Sequence, residues 1–221
     1  TITEGEPMFA AYKKVAWLAR THAVTSVPSA AALRTLRALP PGKSSRDKLI
    51  AFGDPLFSKD QAVEAEKPVQ ADELRSIATA LEADPMKVLN LGKEANEKKV
   101  KSLDLSGFKI LAFATHGLVP GELNGLTQPA LALSAPDVSG AEGDGLLTME
   151  EILTLKLDAD WVVLSACNTG TGAGAGAEAA SGLGRAFFYA GTRALLVTNW
   201  SVHSASAREL VSDLFHRQAQ D

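Results

Sequence analysis

Trp161-Val-Val-Leu-Ser-Ala-Cys167-Asn-Thr-Gly170 is an apolar run that delivers a cysteine into a glycine-rich turn. Its consecutive apolar residues read as a strand buried on both faces, the pattern of a parallel sheet covered on each side. Upstream, Phe108-Lys-Ile-Leu-Ala-Phe-Ala-Thr-His116-Gly117 reads as a second buried strand, and it delivers a histidine into a glycine in the same manner. Cys167 is the chain's only cysteine. A nucleophile and its base need only be neighbours in space, so two strands ending in His-Gly and Ala-Cys can form one site.

Working outward from these two runs gives a β/α rhythm. Lys48-Leu-Ile-Ala-Phe-Gly53 is a first strand, stopped by Gly-Asp-Pro. Ala71 to Ala83 carries Leu74, Ile77, Ala78 and Leu81 on one helical face. Met86 to Leu91 reads as a strand, Lys93 to Leu103 as an exposed polar helix, and Ala130 to Leu133 as a hairpin arm. Thr148-Met-Glu-Glu151 opens a helix with a capping box. A helix over Ala177 to Ala190 is closed by Gly191, a fifth strand covers Ala194 to Thr198, and a final amphipathic helix runs from Ser204 to His216. Alternating strands and helices predict an α/β sandwich with a mostly parallel central sheet and helices on both faces. Ligands in such sheets bind beyond the carboxyl ends of the strands, where His116 and Cys167 both fall.

Residues 1–40 form a lead-in and 41–221 the main domain, with Pro40-Pro-Gly-Lys-Ser-Ser-Arg46 as the boundary loop. The lead-in reads as a helix ending near Arg20, a short strand from His22 to Pro28, and a helix from a Ser29 cap through Leu36. The start Thr1-Ile-Thr-Glu lacks an initiator Met, which suggests a piece of a longer chain.

The chain has 221 residues, 46% of them hydrophobic, enough for a sizeable core. Its net charge is −4, and no basic stripe marks a nucleic-acid partner. No apolar stretch reaches the roughly 18 residues of a membrane span, and no signal peptide opens the chain. One cysteine cannot form an internal disulfide, which fits a reducing cytoplasm. Neither thiolate-rich nor His/Cys/Asp spacing for zinc occurs, and no metal or other cofactor is expected. Gly170 to Ala177 contains a Gly-x-Gly-x-x-Ala turn, but the acidic residue a dinucleotide site needs about 20 positions on is missing: the next strand ends Val197-Thr-Asn-Trp200.

A lone cysteine is commonly a small buried hydrophobe, and a lone histidine at a strand end is commonly structural. The joint placement of His116 and Cys167 on one sheet edge weighs against both plain readings. A nearby imidazole, or the helix beginning near Ala177, would lower the thiol pKa and generate the thiolate nucleophile.

Phe113-Ala-Thr-His116-Gly117, Asp144-Gly-Leu-Leu-Thr-Met-Glu-Glu151, Ala159 to Gly170, Glu178 with Gly182-Leu-Gly-Arg-Ala-Phe187, and Asn199-Trp200-Ser-Val202 together resemble the CHAT domain, a caspase- and separase-like cysteine peptidase family. The resemblance covers nearly the whole chain. It implies a caspase-like three-layer sandwich with strand order 2-1-3-4-5. It implies peptide-bond hydrolysis, with His116 as acid/base, Cys167 as nucleophile and the amides of Gly117 and Cys167 as the oxyanion hole. It further implies a protein or peptide substrate, and control by an upstream tetratricopeptide-type sensor region or a regulatory partner. In caspase-like folds the edge after strand five holds the substrate backbone, and loops after strands one and four shape the first pocket. Those places here are Asn199, Trp200 and Ser201, then Asp54 and Glu178, whose carboxylates would favour a basic side chain unless Asp54 only shapes the Gly-Asp-Pro turn and Glu178 only caps a helix start. The alternative is a catalytically silent interaction module that keeps the fold. Presence of both His116 and Cys167 favours the enzyme.

Overall fold

The structure is a computed structural model and describes residues 14–22, 25, 27, 29–64, 72–165, 175–197 and 204–218. The chain divides into two compact units, Thr1–Pro41 and Gly42–Asp221. In the first, α1 spans Ala30–Ala38, and the Ser29 Oγ at its N-cap accepts the Ala32 N–H at 3.1 Å. The helix expected to end near Arg20 is reduced, where described, to a 3-10 turn at Leu18–Arg20. Its apolar residues Val15 and Leu18 are exposed, so no burial holds a longer helix against its nucleation cost. Much of the strand expected over 22–28 lies outside the described residues.

The second unit follows the order β1 (Asp47–Gly53), α2 (Lys59–Glu64), α3 (Asp72–Ala80), α4 (Pro85–Val88), β2 (Leu89–Leu91), α5 (Glu97–Ser102), β3 (Phe108–Ala114), β4 (Gly117–Leu118), β5 (Ala130–Ala132), α6 (Pro136–Ser139), β6 (Leu146–Thr148), α7 (Met149–Thr154), β7 (Trp161–Ser165), α8 (Ala175–Ala190), β8 (Leu195–Val197) and α9 (Ser204–Gln218). Five strands form one sheet in the order β2-β1-β3-β7-β8, with every neighbouring pair parallel. Numbered among themselves these strands run 2-1-3-4-5, the expected order.

The side-chain period of two sorts each central strand into two cores. Ile50, Phe52, Leu111, Phe113, Val162 and Leu164 face Leu183, Ala186 and Phe187 of α8 and Ile152 of α7. Phe113 is the hub of this layer, its ring 5.4 Å from Phe52 and 5.8 Å from Phe187. Leu49, Ala51, Ile110, Ala112 and Val163 face Leu74 and Ile77 of α3 and Val211 and Phe215 of α9. Each large side chain so buried contributes about 1.5–3 kcal/mol. Gly53, at the end of β1, leaves the room α3 needs: a Cβ there would stand 2.5 Å from the Leu74 Cδ1.

Three local expectations are corrected. Met86–Val88 is helical rather than extended, because Asp84 caps the Met86 N–H at 3.0 Å and Pro85 occupies the first helical position; only Leu89–Leu91 is strand. The helix expected from Lys93 starts at Glu97, where the Asn96 side chain accepts the Lys99 N–H at 2.9 Å. It is not wholly exposed either, since Glu97 and Val100 are buried. The capping box at Thr148 is present as expected.

The amino edge of the sheet is held by ions. The Arg46 guanidinium, whose side chain is 5% exposed, forks onto both Asp160 carboxylate oxygens at 3.1 Å and also donates to the Asp158 carbonyl. Asp158 further accepts from Arg193 at 2.8 Å and from the Lys43 N–H at 2.9 Å. The Lys43 amide foremost, with the two guanidiniums, holds the Asp158 carboxyl below its ordinary value. Among the described residues no helix is long and apolar enough to cross a membrane.

Candidate active site

The carboxyl edge begins where β3 and β7 stop. Their register pairs Ile110 with Trp161 and ends with Ala114 beside Ser165. Beyond Ala114 the chain leaves the sheet: the Thr115 hydroxyl donates to the Ala132 carbonyl, and His116 follows with an exposed side chain.

A three-stranded antiparallel sheet, β4-β5-β6, takes over at this point. The Ala132 N–H donates to the His116 carbonyl at 2.8 Å. Narrow and wide pairs alternate in antiparallel ladders, so the next pair, Gly117 with Leu131, is the kind that exchanges no hydrogen bonds. The Gly117 N–H is therefore directed away from β5.

A buried carboxylate fixes the hairpin behind this small sheet. Glu97 Oε2 accepts the N–H groups of Asp144 (2.9 Å) and Gly145 (3.3 Å), and its Oε1 takes the Lys101 ammonium at 3.0 Å. The same ammonium reaches Glu151 at 2.8 Å. Glu151 foremost, then Glu97, holds the Lys101 ammonium above its ordinary value. Gly143 presses against the Glu97 carboxylate with φ of 127°, where a Cβ would stand 2.1 Å from Oε2.

The loop after β1 forms a second wall. The Asp54 N–H donates to the Ala114 carbonyl at 3.2 Å, and Asp54 adopts a left-handed φ of 50° with its side chain exposed. The buried Ser134 hydroxyl accepts the Leu56 N–H and donates to the Gly92 carbonyl, both at 2.8 Å. This anchor sets Phe57 against the histidine, with ring centroids 5.6 Å apart and planes tilted by 43°. Sequence reasoning did not find Phe57.

It also missed Glu73, in the first turn of α3. Glu73 Oε2 accepts the hydroxyl of Ser165, the last residue of β7, at 2.8 Å. Its Oε1 is buried with no hydrogen-bond partner among the described residues. Burial foremost raises the Glu73 carboxyl above its ordinary value, against the opposing Ser165 bond. The signal was its spacing: Glu73 stands four residues before Ile77 and seven before Ala80, on the face that packs on the sheet.

Of the residues expected at the site, His116, Gly117 and Asp54 are thus gathered at one edge. Glu178 belongs to α8, and nothing is described of its side chain. Cys167, Asn199, Trp200 and Ser201 lie outside the described residues. An open cleft of about 450 Å³ between α3 and α9, lined by Arg75, Arg208, Ser212 and His216 among others, does not include His116. Among the described residues no cluster of three His, Cys, Asp or Glu side chains could hold a metal ion.

Compared with known proteins, the chain matches a family model, that of the CHAT domain, over residues 6–221. No curated protein matches it in sequence.

Proposed function

The chain belongs to the CHAT domain family, a caspase-like, peptidase-related family, and on that premise we propose that it is a cysteine endopeptidase with Cys167 as nucleophile and His116 as acid/base. The observation that carries the proposal is the register of β3 and β7. Ala114 and Ser165 are partners at the sheet edge, His116 follows Ala114 by two residues, and Cys167 follows Ser165 by two. An exposed imidazole, open to substrate, further supports it.

In this mechanism His116 accepts the Cys167 thiol proton and the thiolate attacks the carbonyl carbon of the scissile peptide bond. The negative charge that develops on the carbonyl oxygen is received by the Gly117 and Cys167 amides, and the freedom of the Gly117 N–H from the β5 ladder suits it to that task. His116 returns the proton to the leaving amine as the carbon–nitrogen bond breaks, leaving a thioester. Water, deprotonated by His116, attacks that thioester; the acid product departs and the thiol reforms. The substrate is a protein or peptide. β8 is the terminal strand of the sheet, so a substrate backbone can add beside it near Asn199, Trp200 and Ser201, which follow it in sequence. An upstream tetratricopeptide-type sensor region or a regulatory partner would control access.

The test is mass spectrometry of a peptide library incubated with the purified chain. Products expected from the wild type should be missing with Cys167→Ala. Equal product from the alanine variant would refute the assignment, and a wild type that cleaves nothing would favour the silent interaction module.

A further inference from the structure

We propose that Glu73 is the specificity-determining residue of this site, the carboxylate that receives the ammonium or guanidinium of a lysine or arginine side chain of the substrate. The proposal rests on the peptidase reading and names the substrate class for it.

Glu73 is held at the carboxyl edge of the sheet by its bond to Ser165, which in sequence stands two residues before Cys167. Only one of its carboxylate oxygens is used. Among the described residues, Oε1 is buried without a partner in either protonation state: ionised it lacks a donor, and protonated it lacks an acceptor. Buried carboxylates are normally paired with a cation. Glu73 forms no ion pair among the described residues, whereas its neighbour Asp72 takes Arg208 at 3.3 Å. The elevated carboxyl of Glu73 has burial as its leading cause, as expected of an acid kept from a counter-ion. A long basic side chain entering at this edge would supply both missing elements, a donor for Oε1 and a positive charge.

Asp54 at this edge is less suited. Asp54 is exposed, and water screens its charge. A partly desolvated carboxylate such as Glu73 discriminates charge more strongly, because aspartate or an apolar side chain placed against it leaves it unpaired.

Two measurements test this. In a peptide library varied at the residue on the acyl side of the scissile bond, the wild type should prefer Lys and Arg. Glu73→Gln keeps an acceptor for Ser165 but removes the charge. It should lose that preference by about 30-fold or more while peptides with uncharged residues are still cut. Separately, agmatine, a free mimic of the arginine side chain, should bind Cys167→Ala protein and shift the Glu73 carboxyl resonance in NMR; the Cys167→Ala/Glu73→Gln double variant should not bind it. The resonance shift requires no change at Glu73, so it decides the matter even if Glu73→Gln folds poorly. If no peptide is cut but agmatine still binds through Glu73, the peptidase reading fails and the cation site stands. A basic preference untouched by Glu73→Gln, a preference for aspartate or apolar residues, or agmatine that leaves the Glu73 resonance unmoved would each overturn the proposal.

Discussion

Ala114 and Ser165 stand opposite one another as the last residues of neighbouring parallel strands. The two candidate catalytic residues follow them at equal intervals in the sequence. If they act as one unit, Cys167→Ala and His116→Ala should each abolish turnover, and the double variant should be barely worse than either alone. Rates of the three variants on one cleaved peptide, with thermal melts to show that each remains folded, check this.

Phe57 should matter to rate more than to stability. Its ring packs on His116 while 38% of the residue stays exposed, so removing it frees the imidazole without opening the core. An aromatic contact of about 0.5–1.5 kcal/mol corresponds to a roughly 2- to 10-fold fall in kcat/KM for Phe57→Ala, with Phe57→Tyr close to wild type. Steady-state kinetics beside urea titrations separate the two effects.

The elevated Glu73 carboxyl has a consequence for stability against pH. The native state holds this proton at pH values where the unfolded chain has lost it. Stability therefore falls as pH rises through the ordinary carboxyl value of 4.5, and goes on falling until the native group ionises. Glu73→Gln should accordingly be more stable than wild type at neutral pH and equal to it below about pH 4. Thermal melts across that range would show the two curves converging at the acid end.

The ion cluster at the amino edge is a stability element remote from the chemistry. Arg46→Ala leaves Asp158 and Asp160 to Arg193 alone, without the buried guanidinium, and should cost roughly 2 kcal/mol. Arg46→Lys should recover only part of this, because an ammonium cannot make the two-pronged contact with Asp160. Urea unfolding measures both, and the rate per folded molecule should be unchanged.

The large sheet was legible because its central strands are apolar on both faces, and the run from Trp161 could hardly be anything else. The small sheet was not. β4 has two residues and β6 three, too short for any periodicity, and each is extended only because it pairs with β5. The turn from α4 into β2 has its cue in the sequence, Asp84-Pro85, where capping chemistry outweighs the apolar content that suggests a strand. At the site, the strand end carrying His116 could be read directly. Glu73 is marked only by its helical spacing from Ile77 and Ala80, a weak cue because a polar residue in a first helical turn ordinarily faces water. Phe57 owes its place to Ser134, far along the chain, which no local pattern reveals.

The residue-for-residue pairing of Ile110–Ala114 with Trp161–Ser165 also bears on how such a gene can change. One residue inserted within either strand would turn every following side chain to the opposite face, exchanging the two cores and the side from which the next loop emerges. In the loops between Leu118 and Asp160, outside β5 and β6, no such count applies, and an insertion there lengthens the connection without moving either strand end. Descendants of this sequence can therefore drift widely in the sequence separation of histidine and cysteine, while the paired residues of β3 and β7 are held to an unvarying count.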